Sequence, residues 1–370
     1  MVLWALWLLL WAETSAQSAV SRWSELVAYC VSAEPVTAQA DDSCALLQRG
    51  RTWIDGSDND GAVMQVTDGP GRLGNNLGFI VRGLVFAKLS NYTAVSLVLQ
   101  KKYLQEIFGR KVRLPLRSSR LQGAHWCPMT MLPRAQVYNF EGERCKGTSA
   151  QDCRTLAVET LHQAFSPKFR TCLDSVADDA EEELTIHLRG EDLWGLQEDQ
   201  VTANEPLSLQ ANAHHWLWHQ PPCTLYRKII EEEGFKKVRI VTSPDLRHTC
   251  VGWMKANAAQ MGVKVLVQAG SLLEDFCTLA KASNLVLSYS SLSDNAALLN
   301  KRLRKLYFRE FADKHSLLDC QLWPGTSLYQ YSMPIREGHH EPYGSTYREV
   351  IRWFTSYDES QITRHEGCRS

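Results

Sequence analysis

Residues Leu184 to Trp194 read LTIHLRGEDLW, and the reading of this stretch decides the fold. Leu184, Ile186 and Leu188 alternate with Thr185 and His187, the period-2 pattern that puts the apolar side chains on one face of a strand. At the end of that strand stand His187, Arg189, Gly190, Glu191 and Asp192. Open α/β sheets bind ligands outside the carboxyl ends of their parallel strands, so a strand ending in ionisable groups reads as a ligand edge. Arg189 offers a planar fork of donors suited to a phosphate and keeps its charge at any relevant pH. A structural ion pair at a strand end is the plainer alternative, and the rest of the chain decides between the two.

Downstream, strands and helices alternate. A helix runs from Thr224, its cap, through Glu233, after Pro221-Pro222 ends a loop carrying His214, His215, Trp216, Trp218 and His219. Strand VRIVTS (238–243) follows, then a helix from Asp245 to Met261 and strand VKVLVQ (263–268). Ser271 with Glu274 three residues on is a capping box opening a helix to Ser283. NLVLSYS (284–290) is a strand, a helix runs from about Asp294 to Leu303, and KLYF (305–308) closes the series. This alternation predicts a doubly wound parallel sheet. The strand ends present Ser243 with Asp245, Gly270 with Ser271, and Ser288, Ser290, Ser291 and Ser293. A generic core does not require such groups along one edge, which favours a site over a lone ion pair.

The first half holds a second unit. AVMQVTD (62–68) reads as a strand, GPGRLGNN as a glycine-rich loop, and Leu77, Ile80, Val81, Leu84, Val85 and Leu89 recur at helical spacing before strand TAVSLVL. Glycines at a helix start let backbone N–H groups approach an anion. Gly69, Gly71 and Gly74 satisfy GxGxxG, yet the next strand ends in Gln100-Lys101-Lys102 without the acid a nicotinamide dinucleotide needs. Beyond it, Arg110, Lys111, Arg113, Arg117 and Arg120 read as a solvated surface, and the acidic run Asp178 to Glu183 as a linker. Asp58-Asn59-Asp60 imitates a metal-binding DxD but precedes a strand within a Gly/Ser/Asp turn, so it reads as a solvated turn.

A chain of 370 residues with 44% hydrophobic and 22% charged residues supports two ordinary domains. With 40 basic and 41 acidic residues the formal charge is −1, so no global field draws nucleic acid polymers or an anionic membrane. The N-terminal VLWALWLLLWA followed by Thr14-Ser15-Ala16 reads as a secretory signal over residues 1–19, or a short anchor, with membrane attachment only if it is retained. The 11 cysteines form no CxxC pair, which favours disulfides in an oxidising lumen over a metal site. The odd count leaves a free thiol, for which Cys277, inside an apolar helix pattern, is the candidate. Asn91-Tyr92-Thr93 is a glycosylation acceptor for the same compartment.

Three motifs in order resemble a known family. Gly71-Arg72-Leu73-Gly74-Asn75-Asn76 resembles the GRxGNQ signature of GDP-fucose-dependent fucosyltransferases, and His187-Leu188-Arg189 with Asp192 resembles their HxRRGD signature. The stretch from Asp275 to Leu298, with its SSLSDNAAL, resembles their third region. The resemblance implies a GT-B-like α/β fold, two facing Rossmann-like domains, with the doubly wound parallel sheet in the C-terminal half. Its domains would be residues 20–180 on the acceptor side and 181–310 on the nucleotide-sugar side, with 311–370 as a C-terminal extension. It also implies inverting transfer of L-fucose from GDP-fucose to a glycan or glycoprotein hydroxyl, without a metal or other cofactor, in the ER or Golgi lumen or after secretion. Arg189 would bind the β-phosphate and stabilise the leaving GDP, and His187 and Asp275 would meet the guanosine. Ser290, Ser291 and Ser293 would bind the diphosphate, and Gly71, Arg72, Gly74 and Asn75 would approach the donor from the other domain. The sequence departs from the signature where Gly190 replaces the second Arg, Glu191 the glycine, and Asp294-Asn295 an aromatic pair.

Breaking a sugar–phosphate bond gathers negative charge on the diphosphate, which a metal-free site meets with Arg, hydroxyls and helix N-termini. The acceptor hydroxyl needs a base, for which Glu191, Asp192, Asp68 and His125 are candidates. Asp192 serves equally well to orient Arg189. The rival readings are a non-catalytic secreted glycan-binding module on the same fold, a transferase using another nucleotide sugar, and a nicotinamide oxidoreductase.

Overall fold

Val63–Thr67 forms β1, Leu73–Leu89 forms α1 and Ala94–Val98 forms β2, with β1 and β2 paired in parallel. This is the β-loop-α-β unit that the hydrophobic spacing of Leu77, Ile80 and Leu84 demands, and all three of those side chains are buried. A short helix, α2 (Lys102–Phe108), turns the chain back into β3 (Lys111–Pro115), antiparallel to β2. Lys111 and Arg113 are exposed on this edge strand, where charge discourages pairing with another chain. Two helices follow, α3 (Ala150–Ala164) and α4 (Pro167–Asp174). The Ser166 hydroxyl caps α4 by accepting from Phe169 N, and Pro167 opens its first turn, where a missing N–H costs nothing.

The computed structural model describes residues 63–68, 72–89, 92–116, 150–175, 181–190, 220–246, 248–309, 323, 325–333 and 347–366, all within one unit, Ile54–Ser370. The N-terminal apolar segment, Asp58-Asn59-Asp60, Gly71, Asn91, His125, Glu191, Asp192 and the 214–219 loop lie outside the described residues. Among the described residues no helix is long and apolar enough to cross a membrane.

The second half builds a seven-stranded sheet. Its strands are β4 (Glu183–Leu188), β5 (Lys237–Thr242), β6 (Lys264–Gln268), β7 (Asn284–Val286), β8 (Lys305–Arg309), β9 (Ser327–Ser332) and β10 (Thr363–Glu366). Their spatial order is β6-β5-β4-β7-β8-β9-β10, parallel throughout except for β10, which is antiparallel to β9. Counted from β4 the order is 3-2-1-4-5-6 with one added edge strand, the doubly wound, Rossmann-like arrangement. The winding reverses between β4 and β7.

Helices α5 (Cys223–Glu233), α6 (Thr249–Asn257) and α9 (Tyr347–Ser356) cover one face, packing on Leu184, Ile186 and Leu188 as the alternation requires. Burying each of these side chains is worth about 1.5–3 kcal/mol. Helices α7 (Leu272–Ala280) and α8 (Ser291–Leu299) cover the other face, over Val241, Leu285 and Leu287, in a core shared with β1, β2 and α1 to α4. Stacking of Phe169 on Phe276, with centroids 5.7 Å apart, joins α4 to α7 in that core. The capping box of α7 is present, with Ser271 accepting from Glu274 N and the Glu274 carboxylate accepting from Ser271 N.

Several expectations are corrected. Residues 311–370, set apart in the sequence as an extension, supply β9, β10 and α9 of the same sheet layer. Glu183 is no linker residue: it begins β4, where Arg239 grips its carboxylate at 2.6 and 3.1 Å and Lys237 adds a contact at 3.1 Å. β7 stops at Val286, Leu287 N makes a last bond to Tyr307 O, Ser290 N turns back to Ser288 O, and α8 starts at Ser291 instead of Asp294. α6 starts at Thr249, capped by the His248 ring accepting from Cys250 N, and not at Asp245. Cys277 is not a merely packed thiol. It forms a disulfide with Cys172 that ties α7 to α4, and a second, Cys223–Cys250, ties α5 to α6.

Candidate functional site

The reversal between β4 and β7 splays two strand ends apart, and the groups singled out in the sequence converge there. From β4 comes His187, with Arg189 just past its end; from the turn after β7 come Ser288, Tyr289 and Ser290. His187 Nδ1 lies 2.6 Å from Ser288 Oγ. Burial, reinforced by the Arg189 guanidinium, lowers the His187 pKa to about 3, so the ring is neutral near pH 7. Its Nε2 has no hydrogen-bond partner among the described residues. Arg189, half-buried, donates from Nη1 to the Tyr289 carbonyl at 3.1 Å, a bond that spans the gap between the two strand ends.

The three serines differ. Ser290 caps α8 by accepting from Leu292 N and keeps its hydroxyl proton to donate at the electropositive helix end. Ser291 donates to Asn75 Oδ1 at 2.8 Å, joining the third motif to the first across 216 residues of sequence. Ser293 is fully buried, and its hydroxyl bonds the Ser290 carbonyl at 3.0 Å, which makes it part of the turn. Asp294 and Asn295 are buried as well, and Asn295 Nδ2 donates to Gly74 O at 2.9 Å.

Gly74 is a contact point between the ends of α1 and α8. A Cβ there would sit 2.5 Å from Leu292 N and from the Ser291 carbonyl carbon, both backbone atoms that cannot rotate away. The glycine that the sequence offers for approach to an anion is therefore required for approach to a helix. Gly74→Ala is expected to destabilise the protein by about 1–3 kcal/mol through overpacking. A urea midpoint equal to that of the parent would show that the helices part without cost. Arg72 is exposed, and buried Asn76 holds its helix end by donating to Arg72 O and to the Tyr103 hydroxyl.

Asp275 sits beyond the end of β6. Its Oδ1 accepts from Gln268 Nε2 at 3.0 Å and from Gly270 N at 3.2 Å, while Oδ2 has no partner among the described residues. Burial raises its pKa, and the two hydrogen bonds oppose that shift. Gly190 also has a packing reason. A Cβ at 190 would run into Ser243 Oγ and lie 3.4 Å from Asp245 Oδ1, so a larger residue here requires the Ser243 side chain to shift. Asp68, a candidate base, is committed to structure: its carboxylate accepts from Gln100 N at 2.8 Å and from Lys101 N at 2.6 Å.

One contributor escapes the sequence reading. Gln220 is fully buried and donates from Nε2 to the same Tyr289 carbonyl that Arg189 uses, at 3.2 Å. An isolated glutamine before a proline pair carries no periodic or motif signal. Among the described residues there is no group of three or more His, Cys, Asp or Glu side chains placed to hold a metal ion.

Fold and site together define the class: a mixed α/β, Rossmann-like protein with polar groups gathered at its topological switch point. Set against known proteins, the chain matches no family model, no curated protein and no solved structure.

Proposed function

We propose that this chain is an inverting, metal-independent glycosyltransferase that moves L-fucose from GDP-fucose to a hydroxyl of a glycan or glycoprotein. The observation that carries the reading is the meeting of the three motifs. His187 and Arg189 bond to Ser288 and Tyr289, and Asn75 and Gly74 bond to Ser291 and Asn295, at one end of one sheet. Arg189, the Ser290 hydroxyl and the α8 N-terminus form a cationic pocket for a diphosphate whose charge grows as the sugar leaves. In this reading the β1–β3 unit is the acceptor side of a GT-B-like pair, with Gly71, Arg72, Gly74 and Asn75 bordering the donor. Neutral His187 and the open Asp275 Oδ2 serve the nucleoside. With Asp68 committed to backbone N–H groups, the base falls to Glu191, Asp192 or His125. The two disulfides support an oxidising compartment of the secretory pathway.

The test is ligand-induced stabilisation. In EDTA, GDP at a hundredfold excess over its Kd is expected to add roughly 2.7 kcal/mol of stability, read as a rise in Tm. UDP, CMP and NAD serve as comparisons. A rise with NAD alone would overturn the fucosyl-donor reading, and no rise with any nucleotide would favour a binding module that recognises glycan alone.

A further inference from the structure

Along the binding edge, the strands from β6 to the switch point stand in the order β6, β5, β4, β7. Each end carries a different chemistry. β6 ends beside the open Asp275 Oδ2, β5 ends in Ser243 and Asp245, and the β4/β7 gap holds Arg189 and the α8 N-terminus. Strands are spaced about 4.8 Å apart, so the edge from β6 to the gap measures about 12 Å, the reach of an extended nucleoside diphosphate.

The exposed apolar side chains fit the same layout. Among the described residues the large hydrophobics left exposed are Leu246, at 43%, and Leu272, at 38%. Leu246 follows the β5 end and Leu272 opens α7 just past the β6 end, so both stand on this edge. The Ser243–Leu246 turn is closed by Leu246 N on Ser243 O, with Leu246 at φ 53, and Ser243 Oγ donates to Asp245 Oδ1 at 2.6 Å. Gly190 is what lets this turn lie against the end of β4. Position two of a doubly wound sheet is also where an acid best reaches a ribose diol, one strand from the phosphates.

We infer that the ligand lies across the edge as a ribonucleotide, its base on Leu246 and Leu272, and its ribose hydroxyls on Asp245 of the Ser243–Leu246 turn. This rests on the nucleotide-sugar reading above and adds to it a subsite that selects ribose over deoxyribose. Asp245 carboxylate accepts from the 2′-hydroxyl, while Asp275 meets the edge of the base.

Isothermal titration of the full chain tests it with GDP, 2′-deoxy-GDP and inorganic pyrophosphate, on the parent, Asp245→Asn, Asp245→Ala and Leu272→Ser. The parent is expected to bind GDP about tenfold or more tightly over 2′-deoxy-GDP, the worth of a hydrogen bond to a charged group. Asp245→Ala is expected to erase that preference while pyrophosphate binds as before, and Asp245→Asn to keep part of it. Leu272→Ser is expected to weaken both nucleotides alike and leave pyrophosphate untouched. If the parent binds GDP and its deoxy analogue equally, or Asp245→Ala keeps the preference, the ribose subsite is wrong and the donor reading stands. If the parent binds no nucleotide at all, the donor reading fails and takes the subsite with it. Circular dichroism of each variant separates lost binding from lost fold.

Discussion

Replacing Arg189 by alanine is expected to lower fucosyl turnover by about two to three orders of magnitude while the protein stays folded. Arg189 lies beyond the last residue of β4 and is half-buried, at a strand end and outside the apolar core, so truncation removes little packing. What is lost is a charge-assisted contact that strengthens as the leaving diphosphate gains charge, and such a loss appears in kcat more than in KM. Arg189→Lys is expected to recover little, because a point charge does not replace a planar fork. Glu191→Gly is the paired control. As the base, Glu191 gives a variant that binds GDP but does not turn over; as a bystander, it gives one whose GDP affinity is kept or raised by removing an anion near the phosphates. Single-turnover rates and GDP titrations on both variants check the two roles, and full activity in Arg189→Ala would remove the donor site from this edge.

The second large effect concerns the covalent tie between the two halves. Cys172 on α4 and Cys277 on α7 are 105 residues apart, so their disulfide closes a long loop of the unfolded chain. Cys172→Ala is expected to cost about 4–5 kcal/mol on the loop-entropy scale. Cys223→Ala, which opens a separation of 27 residues, is expected to cost about 1 kcal/mol less. Denaturant midpoints of the two variants measure the difference. Equal losses would mean that residual structure in the unfolded chain, not loop length, sets the scale. Intact-mass analysis of the secreted protein with all four thiols free would remove the disulfides and the compartment they support.

Much of the C-terminal sheet was legible because its signals are local. Leu184, Ile186 and Leu188 announce a buried strand by alternation, and Ser271 with Glu274 announces a helix start by a cap that closes within one turn. β9 was not legible for a physical reason. Its Tyr329 lies under the Arg364 guanidinium at 4.2 Å and its Tyr331 donates to Glu232 at 3.0 Å, so polar partners from β10 and α5 complete a surface that the SLYQYS pattern alone does not define. Helix α3 is likewise settled from outside, since Arg154 donates to the Leu298 and Asn300 carbonyls at the end of α8.

The candidate site divides along the same line. From the sequence alone came the strand order in time, the polar strand ends, and the choice of His187, Arg189, Asp275 and the serines, because residue type and period are written in the chain. Only the folded structure decided what each does. Ser290 and Ser293 are three residues apart and chemically identical, yet one caps a helix at the edge and the other is buried in the turn. Gly74 looks like a glycine of a ligand loop and proves to be the point where the backbone of α8 presses in, while Gly190, a departure from the signature, proves to be where the Ser243 side chain packs. Cys277 fits an apolar helix face, and its partner lies on a helix that no local pattern connects to it. Periodicity reports the direction in which a side chain points; which atoms wait there is set by chain reversals and crossovers that bring distant residues within bonding distance.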